Sequence, residues 1–375
     1  MSEIVKYLYL DDESEDAVKA IIDGLNDTGK VLVERLAFSS QDTFESLSEK
    51  LMSKIKQGIS GILMDLCLNG GGDRSLKFTA SPIAQHLRSI ATSGETAQMP
   101  IVLCSTDERL RATYDADKTS HDLYDYKFTK AEIAWEKVAT KMVSIANGYK
   151  KMSFQPNSLE ELLGREDISE LDDRIFERFA GTHSILPYEF LNFIIKDIFQ
   201  HPGILIKESV FAARLGIDIQ SCEIAWEKLK EILVPKIQYG GILSNGWTRY
   251  WTDRMDLFFR EISDGQIMQA LTAEERVHIL KEKTGISDLR AAKPTRFSSS
   301  SYFNTICEAL KTPLDSMEGY EVYESYELKP WQEPKFISFE AVASGRYQHI
   351  PLKSGELDRF KETQAYFKEL RENEK

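Results

Sequence analysis

Residues 61–68 read GILMDLCL, a near-continuous apolar run broken by one acid, Asp65. A strand with one wet face would show a polar residue at every second position, so this run fits a strand buried on both faces of a parallel sheet. The segments on either side alternate in period. Toward the N-terminus, residues 42–56 carry Phe44, Leu47, Leu51 and Ile55 at helical spacing and stop at Gly58. Residues 31–38 before them predict a strand. Ala17, Ile21, Ile22 and Leu25 mark a helix closed by Gly29. Residues 4–10 (IVKYLYL) are β-prone and end abruptly at Asp11-Asp12-Glu13. Toward the C-terminus, the pattern predicts a helix over 82–90, a strand over 100–104 ending at Ser105-Thr106, a strand over 123–128, and a helix over 129–147. Five strands alternating with helices predict an α/β fold, a doubly wound five-stranded parallel sheet with helices on both faces.

In such sheets ligands bind beyond the carboxyl ends of the strands, at the point where the strand order reverses. The residues at those ends are Asp11, Asp12, Asp65, Ser105, Thr106 and a lysine, Lys130 or Lys127. Converging carboxylates repel one another unless a cation joins them, and a hard divalent ion such as Mg²⁺ takes oxygen ligands. Asp12 and Asp65 each offer a carboxylate oxygen, Cys67 offers its backbone carbonyl, and Asp11 acts through a water. A phosphoryl group neutralised there is open to in-line attack by the Asp65 carboxylate. Acids in these places also serve as helix caps, the simpler alternative for Asp11 and Asp12.

An acidic pair after the first strand, an aspartate after the third, a hydroxyl after the fourth and a lysine after the fifth resemble the receiver domain of two-component response regulators. The resemblance covers residues 1–148, and Pro100 in MPIVLCST sits where receivers often carry proline. It implies a flavodoxin-like fold, Asp11 and Asp12 as the acidic pair, Asp65 as phosphoacceptor, Ser105 as switch hydroxyl, and Mg²⁺ as cofactor. A histidine kinase or a small phosphodonor would supply the phosphoryl group. The sequence departs from the pattern in three places. The stretch after Asp65, LCLNGGGDRSLKFTASP, is long and glycine-rich, and Gly70-Gly71-Gly72 reads as a flexible loop because it lacks the lysine and hydroxyl of a phosphate-binding loop. No proline follows the lysine: FTKAE favours Lys130, while counting from Ser105 favours Lys127 and puts Tyr124 at the receivers' aromatic position. The fourth connection, ERLRATYDADKTSHD, is long and polar, which predicts a reshaped signalling face.

The remainder predicts a linker over 149–157, a mainly helical domain over 158–290, and an extension over 291–375. Helical patterns run over 159–164, 168–180 and 187–199, the last a strongly apolar core helix. Residues 206–233 have helix-turn-helix character, yet the second helix carries Glu223, Glu227 and Glu231. DNA readout needs arginine, lysine, asparagine or glutamine there, so an αα-hairpin is the favoured reading. The cluster Tyr239, Trp247, Arg249, Tyr250, Trp251 and Arg254 predicts a buried seam with arginines bridging acids at its edge, the alternative being a recognition surface. Gly240-Gly241 suits a small wing-like hairpin. The extension predicts a helix over 302–310, a strap around Pro330-Trp331 and Pro334, and a charged terminal helix over 358–374.

The chain has 375 residues and a formal net charge of -13, which argues against nucleic acid or an anionic membrane as partner through global charge. No apolar run of about 18 residues predicts a membrane span. Residues 1–13 lack the features of a signal peptide, and the four cysteines form no CxxC pair, so a reducing cytoplasm is expected. No catalytic set stands out beyond residue 150, so no enzyme activity is expected beyond self-phosphorylation. The leading expectation is a phosphorylation-controlled signalling protein whose helical half meets a protein partner or a second copy. The alternatives are a degenerate receiver acting as a phosphorylation-independent scaffold or effector subunit, and a DNA-binding regulator.

Overall fold

The computed structural model describes residues 4–70, 75–115, 118–131, 133–154, 158–179, 185–347 and 350–373. The chain forms two compact units, residues 1–195 with 241–247 and residues 196–240 with 248–375.

The first unit is built on β1 (Val5–Leu10), β2 (Val31–Arg35), β3 (Gly61–Met64), β4 (Ile101–Ser105) and β5 (Tyr126–Thr129). All pairings are parallel, in the order β2-β1-β3-β4-β5. This is the predicted doubly wound sheet, with its order reversing between β1 and β3. The period of two explains why the central strands β3 and β4 are buried throughout. Leu8, Leu10, Ile62, Met64, Ile101 and Leu103 join one core with Leu47, Leu51, Ile83 and Leu87. Tyr7, Tyr9, Leu63, Val102 and Cys104 join the other with Val18, Ile21, Leu25, Val138 and Met142. The helices that supply these partners are α1 (Glu15–Asn26), α2 (Phe44–Lys56), α3 (Ala80–Thr92) and, later in the chain, Trp135–Phe154. Ser14 caps α1, and a Thr43–Ser46 capping box starts α2.

The crossover from β4 to β5 holds no long regular helix among its described residues. It is α4 (Asp107–Arg109), a π turn (Leu110–Tyr114) and a 3-10 helix (Lys118–Leu123). Tyr114 and His121 stack with ring centroids 4.3 Å apart, and the His121 ring meets the Tyr114 carbonyl at 2.6 Å. These local contacts replace a helical ladder. The closing helix α5 (Trp135–Phe154) starts and ends later than residues 129–147, and it continues through the first part of segment 149–157. Pro156 and Asn157 lie outside the described residues.

After α5 come α6 (Leu159–Leu163) and α7 (Pro187–Asn192). The helix expected over 168–180 is instead three 3-10 turns, Ile168–Glu170, Asp173–Ile175 and Glu177–Phe179. Asp172 is one reason: its carboxylate accepts from the Arg174 N–H at 3.0 Å and competes with the helical bond. The expected core helix over 187–199 is split, with a π turn at Phe193–Ile198 following α7. A buried ion pair binds this part of the chain to the sheet. Arg88 Nη2 lies 2.8 Å from Asp125 Oδ2, Tyr149 OH donates to the other Asp125 oxygen at 2.7 Å, and the guanidinium covers the Tyr188 ring at 4.0 Å.

Loop 241–247 packs on α5. Its Gly246 N–H donates to Ser144 Oγ at 3.1 Å, and Trp247 sets its edge against Tyr126 at 5.9 Å. A Cβ on Gly246 would sit 2.8 Å from Ser144 Cβ and 3.2 Å from Lys141 Cα. Backbone cannot yield as a flexible side chain does, so Gly246→Ala is expected to cost about 2 kcal/mol. Gly240→Ala, whose Cβ meets nothing within 4 Å, should stay within about 0.5 kcal/mol of the parent. Urea denaturation measures both, and equal midpoints would refute the close-approach argument.

The second unit contains β6 (Leu205–Ile206), α8 (Glu208–Arg214), α9 (Glu223–Ile237), β7 (Tyr250–Trp251), α10 (Thr252–Ile262) and α11 (Ala273–Thr284). β8 (Thr305–Ile306), β9 (Pro313–Leu314), β10 (Gly319–Glu321), β11 (Phe336–Ser338), α12 (Phe339–Ala343) and α13 (Leu357–Asn373) complete it. In the helix-turn-helix-like segment, α8 and α9 bury Phe211, Ala212, Ala225, Trp226 and Leu229 in one core. Tyr239, Tyr250 and Trp251 are also buried, as the seam reading expects. Arg249 differs from that reading: it donates to the carbonyls of Thr248 and Phe199, not to acids. A single antiparallel bridge, Gln238–Tyr250, stands where a wing-like hairpin was expected. Residues 302–310 are not a helix. Thr305 and Ile306 pair with Leu314 and Pro313, and Asn304 locks the hairpin by bonding Ser316 through both ends of its amide. The strap is ordered: Gln332 bridges to Gly203, and its side chain donates to the Asp197 carbonyl at 2.7 Å.

Candidate functional site

The strand-end residues converge. Asp11 and Asp12 follow β1, Asp65 follows β3, Ser105 ends β4, and Lys130 follows β5. Main-chain bonds carry the sheet register into the site: Asp65 N–H donates to the Leu10 carbonyl at 2.8 Å, and Lys130 N–H to the Ser105 carbonyl at 2.9 Å. Carboxylate oxygens of Asp11, Asp12 and Asp65 lie within 4.8 Å of one another, and all three residues are buried. Ser14, not either acid, caps the helix that follows.

Each carboxylate has different company. Asp11 accepts from the Glu13 N–H at 2.8 Å, from the Tyr9 hydroxyl, and from Lys130 Nζ at 2.7 Å. Asp12 accepts from the Gly70 N–H at 2.8 Å. Gly70 fits closely there: a Cβ would sit 3.3 Å from Asp12 Oδ2 and 3.2 Å from Arg109 Nη2, so these side-chain ends would have to shift by a few tenths of an ångström. Gly71 and Gly72 lie outside the described residues. Asp65 Oδ2 faces Arg109 Nη1 at 3.2 Å and accepts from the Cys67 N–H at 3.3 Å. Among the described residues, nothing donates to the Cys67 carbonyl. Asp65 Oδ1 has Lys130 Nζ at 3.5 Å but no hydrogen bond, and the buried Ser105 hydroxyl has none either.

Of the two candidate lysines, Lys130 lies among the acids, with its side chain 10% exposed and Glu13 Oε2 at 3.1 Å. Lys127 lies elsewhere, 2.7 Å from Asp115 and over the Tyr114 ring at 4.4 Å. Tyr124 is buried, its hydroxyl 3.3 Å from Ser81 Oγ. Sequence reasoning passed over Tyr9, Glu13 and Arg109. Glu13 directly continues the acidic pair, but nothing in ERLRATYD distinguishes Arg109 from Arg111. Thr106 makes the distinction by capping α4 and accepting from the Arg109 N–H at 3.4 Å.

The electrostatics follow from burial. Burial pushes the Asp65 carboxyl up from its usual value and Asp11 adds to the rise, while Lys130, the nearby Ser105 hydroxyl and Arg109 only partly oppose it. Burial also works against the Lys130 ammonium, but Asp65, Asp11 and Glu13 outweigh it and push that group up. Among the described residues, four carboxylates (Asp11, Asp12, Glu13, Asp65) face Lys130 and Arg109, with Arg35 bonded to the Asp11 and Glu13 carbonyls at 3.1 and 3.0 Å, which leaves an excess of one negative charge when all are ionised. Excess negative charge, an unbonded buried carboxylate oxygen and a free carbonyl form a donor set suited to a hard divalent cation. No protein-family model matches the chain, and no curated protein is similar to it.

Proposed function

We propose that the first unit is a receiver-like module in which Asp65 accepts a phosphoryl group and thereby switches a signalling protein. The observation that carries this reading is the meeting of Asp11, Asp12, Asp65, Ser105 and Lys130 at the strand ends, where the buried Asp65 Oδ1 and Ser105 Oγ make no close hydrogen bond. Asp12, Asp65 and the Cys67 carbonyl would hold Mg²⁺, with Asp11 acting through a water. When bound, the ion supplies Lewis-acid neutralisation of phosphoryl charge. Asp65 Oδ1, free of hydrogen bonds, attacks phosphorus; the donor's bond to phosphorus breaks in line, and its electron pair leaves with the donor. The Lys130 ammonium balances a phosphoryl oxygen, and the Ser105 hydroxyl donates to another. The phosphorylated residue brings roughly one to two extra negative charges, enough to re-pair Arg109 and bias the nearby crossover.

The phosphodonor would be a histidine kinase or a small acyl phosphate, and the second unit would carry the output to a protein partner or a second copy. DNA is the weaker candidate, because the exposed positions of α9 set Glu223, Glu227 and Glu231 against Lys228 and Lys236, with no excess of positive charge. The cysteines are free, in keeping with a cytoplasmic setting. Among the described residues, no helix is long and apolar enough to cross a membrane. A second reading, a phosphorylation-independent scaffold or effector subunit, draws on the same geometry: Lys130 and Arg109 already engage the site's acids.

Intact mass after incubation with acetyl phosphate and Mg²⁺ decides between them. The expected result is one added phosphoryl group that does not form in EDTA. An unchanged mass under both conditions would leave the scaffold reading.

A further inference from the structure

We propose that the second unit holds a binding site for a small oxyanion, a carboxylate or phosphate carried on a compact apolar body, in the cavity lined by Arg214 and Arg276. The cavity measures about 290 Å³, at the small end of ligand pockets. It is separate from the acidic site and independent of the phosphoryl-transfer reading.

Arg276 carries the argument. The residue, on α11, is 1% exposed. Nε donates to the Met268 carbonyl at 2.8 Å, and Nη1 donates to the carbonyls of Arg214 and Phe303 at 2.8 and 2.7 Å. Nη2 makes no hydrogen bond among the described residues, and no carboxylate pairs with the guanidinium. The two acids that act on it from farther away are occupied. Glu275 closes the cap of α11 with Thr272, and Asp315 accepts from Ser300 Oγ and the Met317 N–H. Burial lowers the Arg276 guanidinium to about 10, so it stays charged at neutral pH. A buried cation whose hydrogen bonds go only to carbonyls, with its nearest acids at a distance, is costly, and an anion against its free edge relieves that cost.

The second arginine shows how the site would open. Arg214 Nε donates to the Asn304 carbonyl at 3.0 Å, and its Nη2 pairs with Glu333. Glu333 sits on the strap with a side chain 42% exposed, whereas the Arg214 side chain is 8% exposed. A half-exposed carboxylate over a buried guanidinium is a partner that an incoming anion can displace. Phe303 and Phe336 line the same cavity and would cover the ligand's apolar body. Gln269 lies at the exposed rim.

The test is calorimetric titration of the full chain with inorganic phosphate and, separately, with benzoate. Saturable binding of one equivalent of either is expected. A response to phosphate alone points to phosphate esters, and a response to benzoate alone to carboxylates; each supports the site. Glu333→Gln frees Arg214 and should tighten binding several-fold. Gln269 donates to the Asp256 carboxylate at 3.3 Å, an acid that already acts on Arg214; Gln269→Glu adds a second negative charge beside it and should weaken binding about tenfold. Arg276→Met should abolish it. The Glu333 and Gln269 changes touch exposed side chains, so they decide the matter even if Arg276→Met does not fold. No saturation by either anion at millimolar concentration, or equal affinity in the Glu333 and Gln269 variants, overturns the proposal.

Discussion

Asp65→Asn is expected to abolish phosphoryl incorporation and at the same time to stabilise the folded chain, by about 1 kcal/mol at neutral pH. The loss is chemical: an amide is no nucleophile toward phosphorus under these conditions. The gain is electrostatic. Asp65 is fully buried among Asp11 and Asp12, one of its oxygens has no hydrogen bond, and burial raises its carboxyl above the ordinary value. An asparagine of nearly the same shape removes one charge from a site with a surplus of negative ones. A carboxyl raised on folding favours the folded state only while it is protonated. That contribution is complete below the ordinary aspartate value of about 4, and it is lost as pH rises through the raised folded value. The Asp65→Asn variant should therefore hold little advantage in acid and gain its full advantage toward neutrality. Urea denaturation from pH 3 to 8, run beside intact-mass labelling, checks both halves. Parent-level labelling of the variant would remove Asp65 from the chemistry. A variant less stable than the parent at neutral pH would mean that Asp65 is structural.

Lys130→Met should do the opposite, costing about 3 kcal/mol. The lysine side chain is 10% exposed and the Asp11 side chain not at all, so the 2.7 Å pair between them is a buried one. Removing its cationic half leaves Asp11 to share Lys130's former place with Glu13 and Asp65 and no lysine between them. Mg²⁺ binding to the folded state should recover part of the loss, since any ligand selective for that state stabilises it by mass action. Lys127→Met is the control. Its pair with Asp115 is exposed by 41% and 46% on the two sides, and exposed pairs contribute roughly 0–1 kcal/mol. Denaturation midpoints of both variants, with and without Mg²⁺, measure the contrast. Equal losses for the two lysines would sink the assignment of Lys130 to the site, and a Lys130 loss untouched by Mg²⁺ would count against a divalent ion there.

The sequence by itself determined the parallel sheet and which polar residues would stand at its strand ends. Apolarity on both faces of residues 61–64 is a local property, as is the abrupt change to acids after residues 4–10, and period and strand ends are read over a few neighbours. That is why Asp11, Asp12, Asp65 and Ser105 are legible in the sequence as residues of neighbouring strand ends. Helices whose residues have other partners were not. Residues 302–310 have apolar spacing compatible with a helix, yet Thr305 and Ile306 form a short strand because Asn304 and Thr305 bond to residues that follow in the hairpin. Residues 168–180 break into short turns where Asp172 turns its carboxylate on the backbone. Only the tertiary structure chose Lys130 over Lys127, brought Arg109 and Glu13 to the acids, and left Arg276 buried without a carboxylate. Those outcomes depend on charges far apart in the chain meeting across strand order and crossovers, at distances of a few ångströms where burial multiplies their effect. Spacing along a sequence carries no record of that.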